Sequence, residues 1–339
     1  EIFHRSESAM RSAIRDIPDG TYRHSCDADS FSGPLHIELA LTVAGDQMTL
    51  DLTGSSPQFT FGATNNTLAS AKGAIMVCLK SALTPLIPNN EGQFAPIDVT
   101  APVGSAFNAA YPVAVQARSV AKVHLTETIH GALATVLPEQ VCGGTSTFWS
   151  LHVHGHVAGK VQKAHLIPDG GLGGRAHKDG LATIRYPGNG SVAPIEVFES
   201  RAPILVEKKE FWTDSAGPGR NRGGLGQVIA FRTLSEATVT IRPNNVRFAA
   251  PGILGGEPAV LGEFTIDGVR PPLEPMDLAA GALVEVALPG GAGFGPVAER
   301  SRERIERDID YGYVSLEAAK RDYGFEPSDE SPGRVGMGT

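Results

Sequence analysis

Glycine decides most about what this chain can fold into. It clusters in Gly170 to Gly174, Gly217 to Gly226 and Gly290 to Gly295, and forty glycines and twenty-four prolines occur among 339 residues. Glycine weakens helices and strands. It belongs where a backbone turns tightly or approaches another group closely, so these stretches predict turns, bulges and close approaches in a loop-rich protein. The chain still carries a core: 41% of residues are hydrophobic and 19% charged, which excludes a disordered polymer. Its length suits two modest domains or one large layered domain.

Charge and aromatic content exclude further classes. The formal net charge is -8 with no basic block, so no nucleic-acid partner is expected. Aromatic residues make up 6%, too few for stacking platforms. No apolar run reaches membrane-spanning length, and no signal peptide is evident. Cys26, Cys78 and Cys142 lack metal-type spacing and are odd in number, which predicts a reduced, cytoplasmic protein. The chain starts at Glu1 inside a helical pattern, and is expected to be a fragment or one piece of a longer polypeptide.

Periodicity predicts the elements. Met10, Ala13, Ile14 and Ile17 recur at helical spacing, and Pro18-Asp19-Gly20 stops that helix. His36 to Val43 and Gln47 to Leu52 alternate around Gly45-Asp46, a hairpin signature. Leu68 to Leu83 and Ala117 to Leu137 predict two further helices, the second ended by Pro138. From Phe148 to Val286 short β-type runs alternate with glycine turns, predicting a sandwich or barrel-like region. Ile305 and Ile309 then lie one turn apart, and Ser315 caps a last helix ending near Gly324. The fold class is α+β: an α+β domain over 1–140, a β-rich domain with glycine loops over 141–296, C-terminal helices over 297–324, and a mobile tail over 325–339.

Three segments invite a chemical reading. Asp169 to Gly180 combines Gly171, Gly173 and Gly174 with Arg175, Lys178 and Asp179, so backbone N–H groups and two cations could cradle an anion. The alternative is a turn between strands. Arg220 and Arg222 sit among glycines and could clamp a carboxylate or phosphate, or pair with Glu196, Glu199 or Asp214. His152, His154 and His156 alternate on one strand face, with His165 on the next strand, and could share a metal or form a solvated face. Gly54-Ser55-Ser56-Pro57 is no nucleophile elbow, because the proline blocks entry into a helix. Local chemistry names no nucleophile.

Taken together, these segments resemble the hydantoinase B/oxoprolinase family. Ile17-Pro18-Asp19-Gly20-Thr21-Tyr22 is similar to its "IPDG-x-Y" turn, and Asp51-Leu52-Thr53-Gly54-Ser55-Ser56-Pro57-Gln58 to its "D-F-S-G-S-S-P-Q" hairpin. Asn65-Asn66, Asn90-Glu91-Gly92 and Pro96-Ile97 continue the likeness. Gly173 to Gly180, Asp214 to Gly226, Gly290 to Pro296 and Asp308 to Tyr323 match its later motifs, so the resemblance spans Ser6 to Gly324.

That resemblance implies a B-type subunit, C-terminal part, working with an A-type subunit that uses ATP and Mg. The pair would open a hydantoin, oxoproline or other lactam; a ketone carboxylase of the acetone or acetophenone type shares the plan. It also implies a divalent metal, Zn or Mn, held by an N-terminal region upstream of Ser6, either a separate chain or a missing segment. No metal ligand is carried onto this sequence by the resemblance. From another class, a non-catalytic scaffold docking the ATP-using subunit predicts that Arg175, Lys178, Arg220 and Arg222 face protein rather than cavity.

Overall fold

The computed structural model describes residues 1–157, 159–190 and 192–327. Helix α1 (Ile2–Arg15) turns Ser6, Met10 and Ile14 inward. Strand β1 (Gly20–Ala28) follows, locked to the turn before it by the Tyr22 hydroxyl, which donates to Pro18 O at 2.6 Å. Strands β2 (Leu35–Ala44) and β3 (Gln47–Asp51) form the expected hairpin. Gly45 turns it at φ +60, where a Cβ would be strained. Strand β4 (Ile97–Thr100) adds parallel to β3, completing a sheet of order β1-β2-β3-β4. Ser55 and Ser56 accept the N–H groups of Glu38 and His36 at 3.0 and 2.9 Å, which gives both hydroxyls a structural task.

Helices α2 (Leu68–Leu83) and α3 (Arg118–Leu133) cover this sheet; Leu35, Ile37, Leu39 and Leu41 alternate into the core against Ile75, Leu79, Leu125 and Ile129. α3 ends at Leu133, one turn before the expected Leu137. The residue ahead of Pro138 is driven out of helical geometry, and the chain leaves through a turn in which Leu137 N–H still reaches Leu133 O at 2.8 Å. α3 is buried nearly all round, polar residues included, so it runs through the molecule rather than along its surface.

The β-rich region is a sandwich. One sheet has order β11-β9-β5-β6, built from β5 (Ser150–Val157), β6 (Lys160–Leu166), β9 (Ala237–Arg242) and β11 (Met276–Leu278). The other, β10-β12-β8-β7, holds β7 (Ile204–Phe211), β8 (Gln227–Thr233), β10 (Glu263–Ile266) and β12 (Leu283–Leu288). All pairings are antiparallel. Leu151, Val153, Val239 and Ile241 of the first sheet meet Ile229, Phe231, Val284 and Val286 of the second in one core.

Between sandwich and helices lies a layer of stacked glycine backbone. Gly174 N–H donates to Ala292 O, Gly224 N–H to Leu172 O and Gly291 N–H to Gly224 O, each at 2.8 Å. A Cβ on Gly223 would lie 1.7 Å from Gly291 O, and one on Gly171 2.0 Å from Gly224 O. Only glycine lets these backbones meet. The short helix α4 (Ile195–Glu199) precedes β7, and after the sandwich come α5 (Arg302–Asp310) and α6 (Leu316–Tyr323); Ser315 caps α6 by accepting Ala318 N–H at 3.0 Å, and Gly324 ends it in the left-handed region. From residue 328 on, the expected tail lies outside the described residues.

Candidate functional site: a cleft free of carboxylates at the start of α3

Register assembles the site. β5 lies between β6 and β9, with His152 opposite His165 and Ser150 opposite Arg242. Side chains on alternate positions, and directly opposite ones, share a face. Ser150, His152, His165 and Arg242 therefore emerge together on the side turned from the sandwich core. Ser150 Oγ lies 2.9 Å from His152 Nε2 and 2.8 Å from His165 Nε2, and the two rings stack at 4.0 Å. The hydroxyl proton can serve one ring nitrogen; the other ring then donates its own Nε2–H to the oxygen. Burial first, then the charges of His165, Arg242 and His154, lower His152 to a pKa of about 4. Burial and Arg185 lower His165 as well. Both imidazoles are neutral at neutral pH, one a proton acceptor and one a donor.

A cavity of about 400 Å³ opens over this group, walled by Phe31, Gly62, Ala63 and the start of α3. Ser119 and Phe148 lead into a second cavity of about 480 Å³, whose walls include Val77, Val123, Ile167 and Pro187, with Lys122 and Arg185. Among the described residues no Asp or Glu borders either one. Arg185 is held by Asp169 at 2.6 Å, while Arg242 packs over the Phe31 ring at 5.2 Å. The N-cap of α3 is Ala117, which has no capping side chain, so the helix presents bare N–H groups near the cleft.

The other residues singled out in the sequence go elsewhere. His154 and His156 share the His152 face but are exposed, bordering a separate groove with Glu236 and Asp277. Among the described residues no group of three or more His, Cys, Asp or Glu side chains could hold a metal, so the histidine row does not build a ligand set and no metal step is derived from it. Gly171 and Gly174 direct their N–H groups to Pro289 O and Ala292 O, and Gly173 to Thr145 Oγ1, so close packing takes up these three donors.

Asp179 is taken up by Arg300 at 2.8 Å and Arg304 at 2.7 Å, and Arg222 by Asp308 at 3.0 Å. Arg220 pairs with Glu299 at 3.0 Å. The arginine partners are thus Asp308 and Glu299, not Glu196, Glu199 or Asp214, because the C-terminal helices fold back onto the glycine layer. Arg175 donates to Asp179 O at 2.9 Å and is half-buried; Lys178 is exposed.

Two groupings were not legible beforehand. Ser150 lies two residues before His152, so strand alternation could have found it. Arg242 reaches it across ninety-two positions of chain by β5–β9 pairing, Lys122 and Ser119 arrive on α3, and Gln116 just before it, with no local signal. Cys142 Sγ also meets His130 Nδ1 at 3.3 Å. Burial raises that thiol to about 12 and lowers that imidazole to about 4, so they are a neutral buried pair rather than a reactive thiolate.

The family model described as hydantoinase B/oxoprolinase matches residues 1–297. The chain belongs to that family. It is 29% identical to the putative D-/L-hydantoinase B-type subunit of Pseudomonas sp. (strain NS671), over 97% of this chain and 59% of that protein. Its fold is that of the nucleotide-free acetone carboxylase structure (TM-score 0.82, 20% identity, 94% of this chain and 51% of that one). It is equally that of the ATP-dependent caprolactamase from Pseudomonas jessenii (TM-score 0.80, 21% identity, 97% of this chain and 61% of that one). The chain spans about three-fifths of the length of these curated relatives, the Pseudomonas hydantoinase subunit and the caprolactamase beta subunit. Among the described residues no helix is long and apolar enough to cross a membrane.

Proposed function

We propose that this B-type chain contributes the ring-opening site of an ATP-dependent amidohydrolase, working on a hydantoin, oxoproline or other lactam with an ATP-using A-type subunit. One observation carries the reading: Ser150 Oγ bridges two neutral imidazoles at the mouth of a cleft without carboxylates. Cleaving an amide C–N bond needs a base to take a proton from the attacking oxygen and an acid to give one to the leaving nitrogen. Neutral His152 and His165 offer both through Ser150 Oγ, which links their Nε2 atoms and can pass the proton on, and Arg242 stands where it can stabilise an oxyanion. ATP, with Mg on the partner, supplies an activated substrate; any divalent metal is expected from the segment that lies upstream of this one in the family. The cytoplasm, where free thiols persist, suits Cys26, Cys78 and Cys142. Part-exposed Arg175 and exposed Lys178 are assigned to the wall of a pocket shared with another chain.

Reconstituting the complete B-type subunit with its ATP-using partner tests this. His152→Gln and His165→Gln should each lower ring-opening turnover by about 10²-fold or more while the complex stays assembled. Arg175→Ala should lower turnover more than it weakens assembly. Undiminished turnover in both histidine variants would sink the catalytic role. A docking scaffold would then stand, a reading favoured by the inward-facing Arg222. Ketone and bicarbonate in place of a lactam test the carboxylase alternative.

A further inference from the structure

We infer that the two-lobed cleft binds a small organic carboxylate head first, with Arg242 and the His152–His165 pair on the carboxylate and the second lobe around an aliphatic body. The inference rests on the reading that rings are opened in this cleft, and it names the class of molecule held there.

Charge is the first argument. The chain carries a formal net charge of -8, yet among the described residues no Asp or Glu borders either lobe. Arg242 is exposed on the sheet, has Phe31 as its ring contact at 5.2 Å, and among the described residues has no acidic partner. A guanidinium presents two parallel donors that match a carboxylate. The imidazole that accepts the Ser150 proton at Nε2 carries its own proton on Nδ1, which adds a donor on the same face.

Shape is the second. Val77, Val123, Ile167 and Pro187 give the neighbouring lobe an apolar wall beside Lys122 and Arg185, and about 480 Å³ exceeds what a branched aliphatic side chain needs. The Arg185 charge is already met by Asp169 in a contact of 2.6 Å, and burial, with Arg118 nearby, disfavours the charge on Lys122, which leaves Arg242 as the stronger anchor and orients the ligand.

Chemistry is the third. When a cyclic amide opens, the ring C–N bond breaks, a C–O bond forms to water, and one water hydrogen passes to the nitrogen. The remaining acid ionises at neutral pH, so a neutral ring becomes a carboxylate. A cleft rich in donors and free of acids holds that charge as it appears.

Isothermal calorimetry on the complete protein tests this with N-carbamoyl-leucine, its uncharged amide, and inorganic phosphate. The acid should bind at least about ten-fold more tightly than the amide or phosphate. Arg242→Gln should remove that preference and leave the amide unchanged. Val77→Asp, at an exposed position on the second lobe, should weaken both leucine compounds. Equal binding of acid and amide, or an acid affinity untouched by Arg242→Gln in a variant that melts normally, would overturn the assignment. Phosphate binding as tightly as the acid overturns it too, since a general oxyanion site explains that result. If the complex opens a hydantoin but the acid does not bind, this assignment alone falls. If the acid binds through Arg242 and no ring is opened, the ring-opening reading alone falls.

Discussion

At the scale of single residues, burial sets what the titratable groups can do. His130 on α3 is almost fully buried, touching Cys142 and Tyr186, and its pKa is held down to about 4 by burial. In the unfolded chain the same ring titrates near 6.5. Between those values the unfolded state binds a proton that the native state refuses. The stability from keeping His130 neutral is therefore whole above pH 6.5 and is lost as pH falls toward 4, on the order of 3 kcal/mol in all. Urea midpoints from pH 7 to 4.5 should fall, and His130→Gln should flatten that slope. An unchanged slope would mean the ring is not buried neutral. Asp179 differs: burial raises it, but the bond and charge of Arg300 outweigh burial and hold it below its ordinary 3.8, so its contribution is lost only in stronger acid. His152 shares the downward direction of His130 but sits at a cleft mouth, where an anion would raise it again.

At the scale of elements, two kinds of glycine part company. Gly45 turns the β2–β3 hairpin at φ +60 with open space around its Cα, so Gly45→Ala costs only backbone strain, about 1–2 kcal/mol. Gly223 has ordinary dihedrals but meets Gly291 O, and an added Cβ would lie 1.7 Å from it. Neither backbone can give way without parting the layer, so Gly223→Ala should cost about 3 kcal/mol or more. Denaturant midpoints separate the two, and a Gly223→Ala variant as stable as Gly45→Ala would remove the backbone-packing account. Helix ends and hairpins were legible because their causes are local: a cap at Ser315, a left-handed Gly324, alternation in β2. The function of Gly170 to Gly174 was not, because a glycine run reads the same whether it faces a phosphate or another backbone.

At the scale of the whole molecule, a buried ion network joins distant segments. Asp308 of α5 holds Arg222 at 3.0 Å and also contacts Arg300, which in turn reaches Asp179 at 2.8 Å. The Arg300 side chain is 0% exposed and that of Asp308 1%, so removing one partner strands a buried charge. Asp308→Ala should cost about 3–5 kcal/mol. Hydrogen exchange should quicken across α5 and α6 while the sandwich core amides stay protected. Adding salt to the native protein should not mimic the loss, because buried pairs are poorly screened. Uniform exchange in the variant would mean the network does not fasten these helices.

Sequence alone determined the elements, the α+β class and the family likeness, since periodicity, caps, turn residues and ordered motifs act over a few positions. Tertiary structure decided which groups meet. Strand register set Ser150 between His152 and His165 and brought Arg242 beside them, while the return of α5 claimed Arg222 and Asp179 for structure. A carboxylate or guanidinium carries the same chemistry in either setting. What separates a site from a strut is whether its partner is another residue of the chain or a space left open, and that depends on contacts far apart in sequence.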